Sequence, residues 1–180
     1  MITLIVPTRN RAHTLRLVAP SYFEQEQVDE LIFVDDAGTD DTAAVLQEIA
    51  ARYPSKRMSI LRNEQRLGAP GSRNKGVAVC RNDYVLFCDD DEYLEAGYAA
   101  VCLEKLNADP KLGAISGRRV YMLVGETQAQ ALQRFRHGLH RAKPFRPVIC
   151  EYVNGAIFRG DVRVPFTNAI ILTRKSLLQQ

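Results

Sequence analysis

Short apolar runs recur along the first two thirds of the chain, and a polar or acidic loop cuts each one off before a helix-like segment begins. Ile2 to Val6 ends at Pro7, Leu31 to Val34 at Asp35, Met58 to Leu61 at Arg62, and Tyr84 to Cys88 at Asp89. Runs this short and this apolar suit strands buried on both faces. Between them lie segments with helical spacing. Ala12 to about Phe23 is one, with Pro20 weakening its second half. A second runs to about Arg52 and can be capped by Thr39 or Asp40, and a third covers roughly Gly71 to Cys80 with Pro70 in its first turn. A fourth spans Ala96 to Leu106, and Leu112 to Ser116 reads as a fifth strand. This rhythm implies the α/β class: a Rossmann-like, mostly parallel sheet flanked by helices and built from right-handed βαβ units.

The last third breaks the rhythm. Thr127 to Cys150 holds no acidic residue but contains Arg134, Arg136, Arg141, Lys143 and Arg146. Gln128 to about His137 suits a helix, and Tyr152 to Phe158 with Val162 to Leu172 suit a hairpin around Arg159-Gly160-Asp161. At 180 residues the chain is read as a single domain, 1–180, with a core at 1–118 and a smaller C-terminal hairpin and helix region at 119–180. The balance of 46% hydrophobic and 25% charged residues excludes disordered and fibrous classes. A net charge of +3 is too small to argue for nucleic acid as a partner.

No apolar run reaches bilayer length, and the N-terminus lacks a basic region and cleavage site. Cys80, Cys88, Cys102 and Cys150 show no CxxC pairing, which argues against zinc and favours a reducing, cytoplasmic compartment. The basic segment 134–146 is a candidate for peripheral contact with the inner face of a membrane or for an anionic acceptor; a solvated basic face accounts for it equally.

Chemistry concentrates where the strands end. In an open α/β sheet, ligands collect outside the carboxyl ends of the strands. Four successive carboxylates, Asp89-Asp90-Asp91-Glu92, follow the Tyr84 run, and Asp89 and Asp91 project to the same side of an extended chain. Magnesium or manganese would offset their repulsion, since such ions take one or two carboxylates plus substrate phosphates. Thr8 and Asn10 carry groups that can read a base edge, and Asp35 and Asp36 can accept from a base imide or a ribose hydroxyl. A helix start near Gly71 offers N–H groups to phosphate, with Arg73 adding a fork of donors. There is no GxxxxGK[ST] and no GxGxxG, which argues against a P-loop nucleotidase and a nicotinamide-binding domain.

With these loops in view, the chain resembles a GT-A fold glycosyltransferase of family 2. The resemblance is carried by Val6-Pro7-Thr8-Arg9-Asn10, by Val34-Asp35-Asp36-Ala37-Gly38-Thr39-Asp40-Asp41-Thr42, by the Gly68 loop with Arg73-Asn74-Lys75-Gly76, and by Asp89-Asp90-Asp91 as a DxD motif. Ala37-Gly38 departs mildly from the Gly-Ser that the family usually has. The resemblance implies that Pro7, Thr8 and Asn10 line a nucleotide pocket with Arg9 near it, and that Asp36, with Asp35, contacts the base. It implies that Gly68 and Arg73 lie near the phosphates and that Asp89 and Asp90 face ribose or sugar. Asp91, with Asp89, would hold a manganese or magnesium ion.

The implied reaction is metal-dependent, inverting transfer from a nucleotide-diphosphate sugar to a saccharide or lipid-linked acceptor. A UDP-sugar is the first choice of donor, with GDP- or dTDP-sugar next. In the family the catalytic base follows a segment like Asn168 to Lys175, in a later acidic motif expected beyond Gln180. Two alternatives stay open: a donor-binding module without competent catalysis, and a sugar-nucleotide pyrophosphorylase. The glycine- and lysine-rich loop of the latter is missing after Val6.

Overall fold

A computed structural model of the chain describes residues 1–117, 125–139 and 170–178. Two compact units emerge: Met1–Gly117 together with Asn168–Gln180, and Arg118–Thr167. In the first, strands β1 (Ile2–Thr8), β2 (Val28–Asp35), β3 (Arg57–Arg62), β4 (Tyr84–Phe87), β5 (Ala114–Ile115) and β6 (Ile171–Arg174) form one sheet in the order β3-β2-β1-β4-β6-β5. β1 pairs in parallel with β2 and β4, and β2 with β3. β6 runs antiparallel to both neighbours. The sheet therefore draws on both ends of the chain, across the boundary read at residue 118. The proposed hairpin lies outside the described residues except for its last stretch, which pairs within the main sheet as β6.

Side-chain alternation along the central strands sorts the core onto two faces. Ile2, Leu4, Val6, Leu31 and Phe33 point to one face, where they meet α1 (Ala12–Val18), α2 (Pro20–Phe23), α3 (Thr42–Ala50) and α5 (Tyr98–Ala108). Ile5, Ile32, Val34 and Val85 point to the other, against Val77 and Cys80 at the end of α4 (Gly68–Val79). Phe23 stacks between Phe33 and Tyr53, with ring centroids 6.3 and 5.1 Å away. β1 is buried along its whole length, whereas β3, at the edge, is partly exposed throughout. Cys80, Cys88 and Cys102 are buried free thiols.

Two boundaries differ from the sequence expectation for reasons proline supplies. Pro7 does not end β1, which continues to Thr8. Ile5 and Pro7 present their backbone polar groups toward β4, and that ladder closes with Cys88 N–H donating to Ile5 at 3.2 Å. Pro7 therefore sits where no further donor is needed. Pro20, by contrast, breaks the expected single helix into α1 and α2 and takes the first position of the second, where a missing N–H does no harm.

The second unit is described only at residues 125–139. Thr127 and Gln130 form a reciprocal cap at the start of α6 (Gln128–Leu139), with Gln130 N–H donating to the Thr127 hydroxyl at 3.3 Å and Thr127 N–H to the Gln130 side chain at 2.8 Å. Arg134 pairs with Glu126 at 2.9 Å. Among the described residues no helix is long and apolar enough to cross a membrane.

Candidate functional site

The loops after β1, β2, β3 and β4 meet at the carboxyl edge of the sheet, and side-chain hydrogen bonds sew each to the next. Asn10 accepts from Thr39 N–H at 2.7 Å, and Arg11 N–H donates to the Thr42 hydroxyl at 3.1 Å. The Asp40 carboxylate takes Ala12 N–H at 3.0 Å and Thr42 N–H at 3.1 Å, so one side chain serves the first turns of both α1 and α3. Burial alone would raise the Asp40 carboxyl; the bonds from Thr42 and Ala12 outweigh it and hold the group below its ordinary value. The N-cap position of α3 itself is Asp41, one residue beyond the expected Thr39 or Asp40, and Asp40 ties the loops of β1 and β2 together from the position before it.

Asp36 ties the β2 loop to the β3 loop. Its Oδ1 accepts from Asn63 Nδ2 at 2.8 Å and Leu67 N–H at 2.7 Å, and its Oδ2 from Gly68 N–H at 2.9 Å. Burial opposes the charge, but these donors and the nearby Arg66 keep the carboxyl below the usual aspartate range. Asn63 also donates to Ser72 at 3.0 Å and accepts from Lys75 at 3.0 Å, so the start of α4 is fixed from beneath. Asp35 accepts from Gly38 N–H at 2.8 Å and from Arg62 at 3.0 Å. Gly68 has φ +72°, a conformation that glycine adopts without strain.

Ala37 stands where the family usually has glycine. It sits at φ 56°, in the left-handed region where an L side chain is strained. Ala37→Gly is expected to stabilise the protein by about 1 kcal/mol, the relief of that strain less the extra chain entropy of glycine. A urea melt reads it; an unchanged or lower midpoint refutes it.

The acidic loop follows β4. Arg73, from α4, donates to Asp89 Oδ1 at 2.5 Å, and Arg11 stands 3.6 Å from Asp90. Burial pushes the Asp90 carboxyl up, while the neighbouring Thr8 hydroxyl and the Arg11 guanidinium pull the other way. Asp91 is exposed and makes no hydrogen bond or ion pair among the described residues. Arg73 Nε is buried without a partner among the described residues, and the buried Thr8 hydroxyl lies beside Asp90. Arg9 is exposed at the rim beside Asn10, and Pro7 forms the floor at the end of β1.

No group of three or more His, Cys, Asp or Glu side chains among the described residues is placed to hold a metal by itself. The donor set nonetheless fits manganese or magnesium, which take hard oxygens and complete their shell with substrate phosphates and water. Asp91 would be the carboxylate available to such an ion, and Asp89 would have to share its carboxylate with Arg73.

Structure adds residues that sequence reading missed: Ser21, Tyr22, Gln25 and Asn63. Ser21 and Gln25 stand four apart on α2 and just past its end, but Gln25 lies between Glu24 and Glu26, so nothing in the local sequence sets it apart. Glu151 and Asp161 lie outside the described residues.

An open, mostly parallel sheet whose strand-end loops gather carboxylates, a half-buried arginine and a helix start defines an α/β transferase of the GT-A type. Residues 3–164 match the family model described as Glycosyl transferase family 2, and the chain belongs to that family. Chondroitin synthase of Escherichia coli is 28% identical over 116 residues, which is 64% of this chain and 16% of that protein. The GalNAc(5)-diNAcBac-PP-undecaprenol beta-1,3-glucosyltransferase of Campylobacter jejuni is 31% identical over 107 residues, 59% of this chain and 34% of its own.

Among solved structures, the mannosyltransferase PcManGT from Pyrobaculum calidifontis, in complex with GDP-Man and Mn2+, superposes with a TM-score of 0.61 at 24% identity. That match covers 75% of this chain and 38% of the other. TarS 1-349 of S. aureus, in complex with UDP-GlcNAc, gives 0.63 at 17% identity over 99% of this chain and 46% of its own. The chain spans 16 to 37% of the length of the curated relatives it matches.

Proposed function

We propose that the chain carries the donor site of a metal-dependent, inverting glycosyltransferase that moves a sugar from a nucleoside-diphosphate donor to a saccharide or lipid-linked acceptor. One observation carries this reading. The four tied loops leave a buried donor, Arg73 Nε, without a protein partner among the described residues, beside the Asp89–Asp91 carboxylates. A buried polar group left unpaired costs about 1–3 kcal/mol, so such atoms mark where a polar ligand belongs.

Roles follow from position. Thr8, Asn10 and Asp35 border the nucleoside, and Asp36 Oδ2, which among the described residues accepts from Gly68 alone, keeps a lone pair for a base imide. Arg73 turns its remaining N–H donors to the diphosphate. Asp89 and Asp90 face ribose and sugar, and Asp91, with Asp89, holds the cation. A bound manganese or magnesium ion supplies Lewis-acid stabilisation of charge on the departing nucleoside diphosphate. The acceptor hydroxyl attacks the anomeric carbon opposite the diphosphate: the new C–O bond forms as the old one breaks, the configuration inverts, and the hydroxyl proton passes to a carboxylate base. We assign acceptor recognition to residues 119–180, where the charge of the basic segment 134–146 suits an anionic, lipid-linked acceptor at the inner face of a membrane. The Campylobacter relative, named for an undecaprenol-linked substrate, supports that choice.

A melting panel tests the donor half. The solved neighbours hold GDP-mannose or UDP-GlcNAc, so UDP and GDP lead, followed by CDP and dTDP, each with manganese, magnesium or chelator. At 100 times its dissociation constant a ligand stabilises the fold by about 2.7 kcal/mol, roughly 5–10 °C for a domain of this size. A shift for one nucleotide that chelator removes is the expected result. Equal melting in every well, from a folded sample, would reject the donor reading. Sugar transfer with the selected donor then separates an enzyme from a binding module.

A further inference from the structure

No helix or strand covers the chain between Phe87 and Tyr98, yet this segment carries the acidic cluster. Its backbone is held from one side by three buried side chains within a five-residue stretch. Tyr22 Oη lies within donating distance of the carbonyls of Asp89, 2.8 Å, and Glu92, 2.7 Å, which share its single proton. Ser21 Oγ accepts from Leu94 N–H at 3.1 Å. Gln25 Nε2 donates to the Glu95 carbonyl at 3.1 Å, while its Oε1 accepts from Ala99 N–H at 3.0 Å. Tyr22 and Gln25 are almost completely buried and Ser21 nearly so. Burial, with the Cys88 thiol beside it, raises the Tyr22 hydroxyl well above its ordinary value, so it keeps the proton it donates.

Packing alone does not call for this arrangement. Phenylalanine and leucine would fill the same volumes in an apolar cluster without the desolvation that buried hydroxyl and amide groups suffer. Tyr22 bonds on both sides of Asp90 and Asp91, so its hydroxyl fixes the ends of the turn that presents them.

We propose that Ser21, Tyr22 and Gln25 are positioning residues that preorganise the acidic loop, with the Tyr22 hydroxyl setting the presentation of Asp89–Asp91 to a cation-bridged diphosphate. This rests on the donor reading above. Geometry held in advance lowers the ordering that ligand binding must otherwise impose. Loss of the hydroxyl therefore weakens the metal-dependent part of nucleotide binding and leaves the base end untouched.

The test compares Tyr22→Phe with wild type in two measurements. Hydrogen exchange on the ligand-free protein is expected to speed up by about tenfold at amides 90–95 and to stay unchanged in β2 and β3, as local opening by one lost bond requires. Titration with UDP or GDP is expected to show the manganese-dependent gain in affinity reduced five- to tenfold, about the worth of one hydrogen bond, with metal-free affinity preserved. Equal reduction with and without manganese would indicate a general structural effect and overturn the proposal. So would an unchanged manganese gain, whatever the exchange shows. A wild type that binds no nucleoside diphosphate overturns the donor reading instead, and unchanged exchange at 90–95 then overturns the loop-holding role as well.

Discussion

Asp91→Asn is expected to lower glycosyl transfer by roughly 10²–10³-fold, the usual loss when one electrostatic stabiliser of a developing charge is removed. Folding should be unaffected. Asp91 is exposed and makes no hydrogen bond or ion pair among the described residues, so asparagine keeps its shape and breaks nothing. Surface changes of this kind normally stay within about 0.5 kcal/mol, and removing one charge from Asp89-Asp90-Asp91-Glu92 relieves repulsion. The contrast with Asp89 sharpens the assignment. That carboxylate already has a counter-ion in Arg73 at 2.5 Å, so its loss would disturb the loop as well as the cation. Activity and melting should be measured together, with manganese and with chelator. A variant that keeps the manganese-dependent shift and rate would remove Asp91 from the metal site.

Asp36→Asn is expected to act in the opposite way, through stability first. Three donors converge on the carboxylate, two of them backbone N–H groups at the start of α4. An asparagine presents one acceptor oxygen, and its NH₂ must then face a backbone donor. Leaving such a group without an acceptor costs about 1–3 kcal/mol, and the lost anion at a helix start adds about 0.3–1 kcal/mol. At roughly 2–4 °C per kcal/mol for a domain of this size, the melting point should fall by about 3–16 °C.

The pH dependence gives an independent readout. Asp36 is held below its unfolded value, so its contribution is complete above the ordinary aspartate range, about 3.9, and drains as pH falls through the lower folded value. The gap between wild type and variant should therefore be constant near neutrality and narrow in acid below about pH 4. A variant that melts with wild type at neutral pH would show that Asn63 and the start of α4 are fixed without this carboxylate. Nucleotide affinity should fall alongside stability, because the loop that borders the donor is the loop that Asp36 holds.

Much of the architecture was legible in the residues. Apolar runs of four or five residues gave the strands, and Pro70 marked the first turn of α4, which begins at Gly68 rather than near Gly71. Errors fell where a residue's local preference was overridden by its neighbours in space. Pro7 reads as a strand terminator, yet it lies inside β1 because the ladder on its donor side has already closed. The stretch from Leu112 to Ser116 shrank to a two-residue strand, Ala114–Ile115, paired only with β6. The position of β6 itself, between β4 and β5, could not be read from the rhythm of the first 118 residues.

At the candidate site, the sequence by itself determined which loops gather at the carboxyl edge of the sheet, because strand ends, turn residues and clustered carboxylates are local features of a few consecutive positions. It also sufficed for the family, through four motifs in order. Tertiary structure alone decided what each carboxylate does. Asp36 and Asp40 are bound to backbone donors 31, 32 and 28 residues away, Asp89 is paired with an arginine 16 residues before it, and Asp91 projects outward. Tyr22 reaches the acidic loop from 67 residues upstream. A hydrogen bond forms only within about 3 Å and in a narrow range of angles. Which of several chemically identical side chains is engaged depends on distances that folding sets.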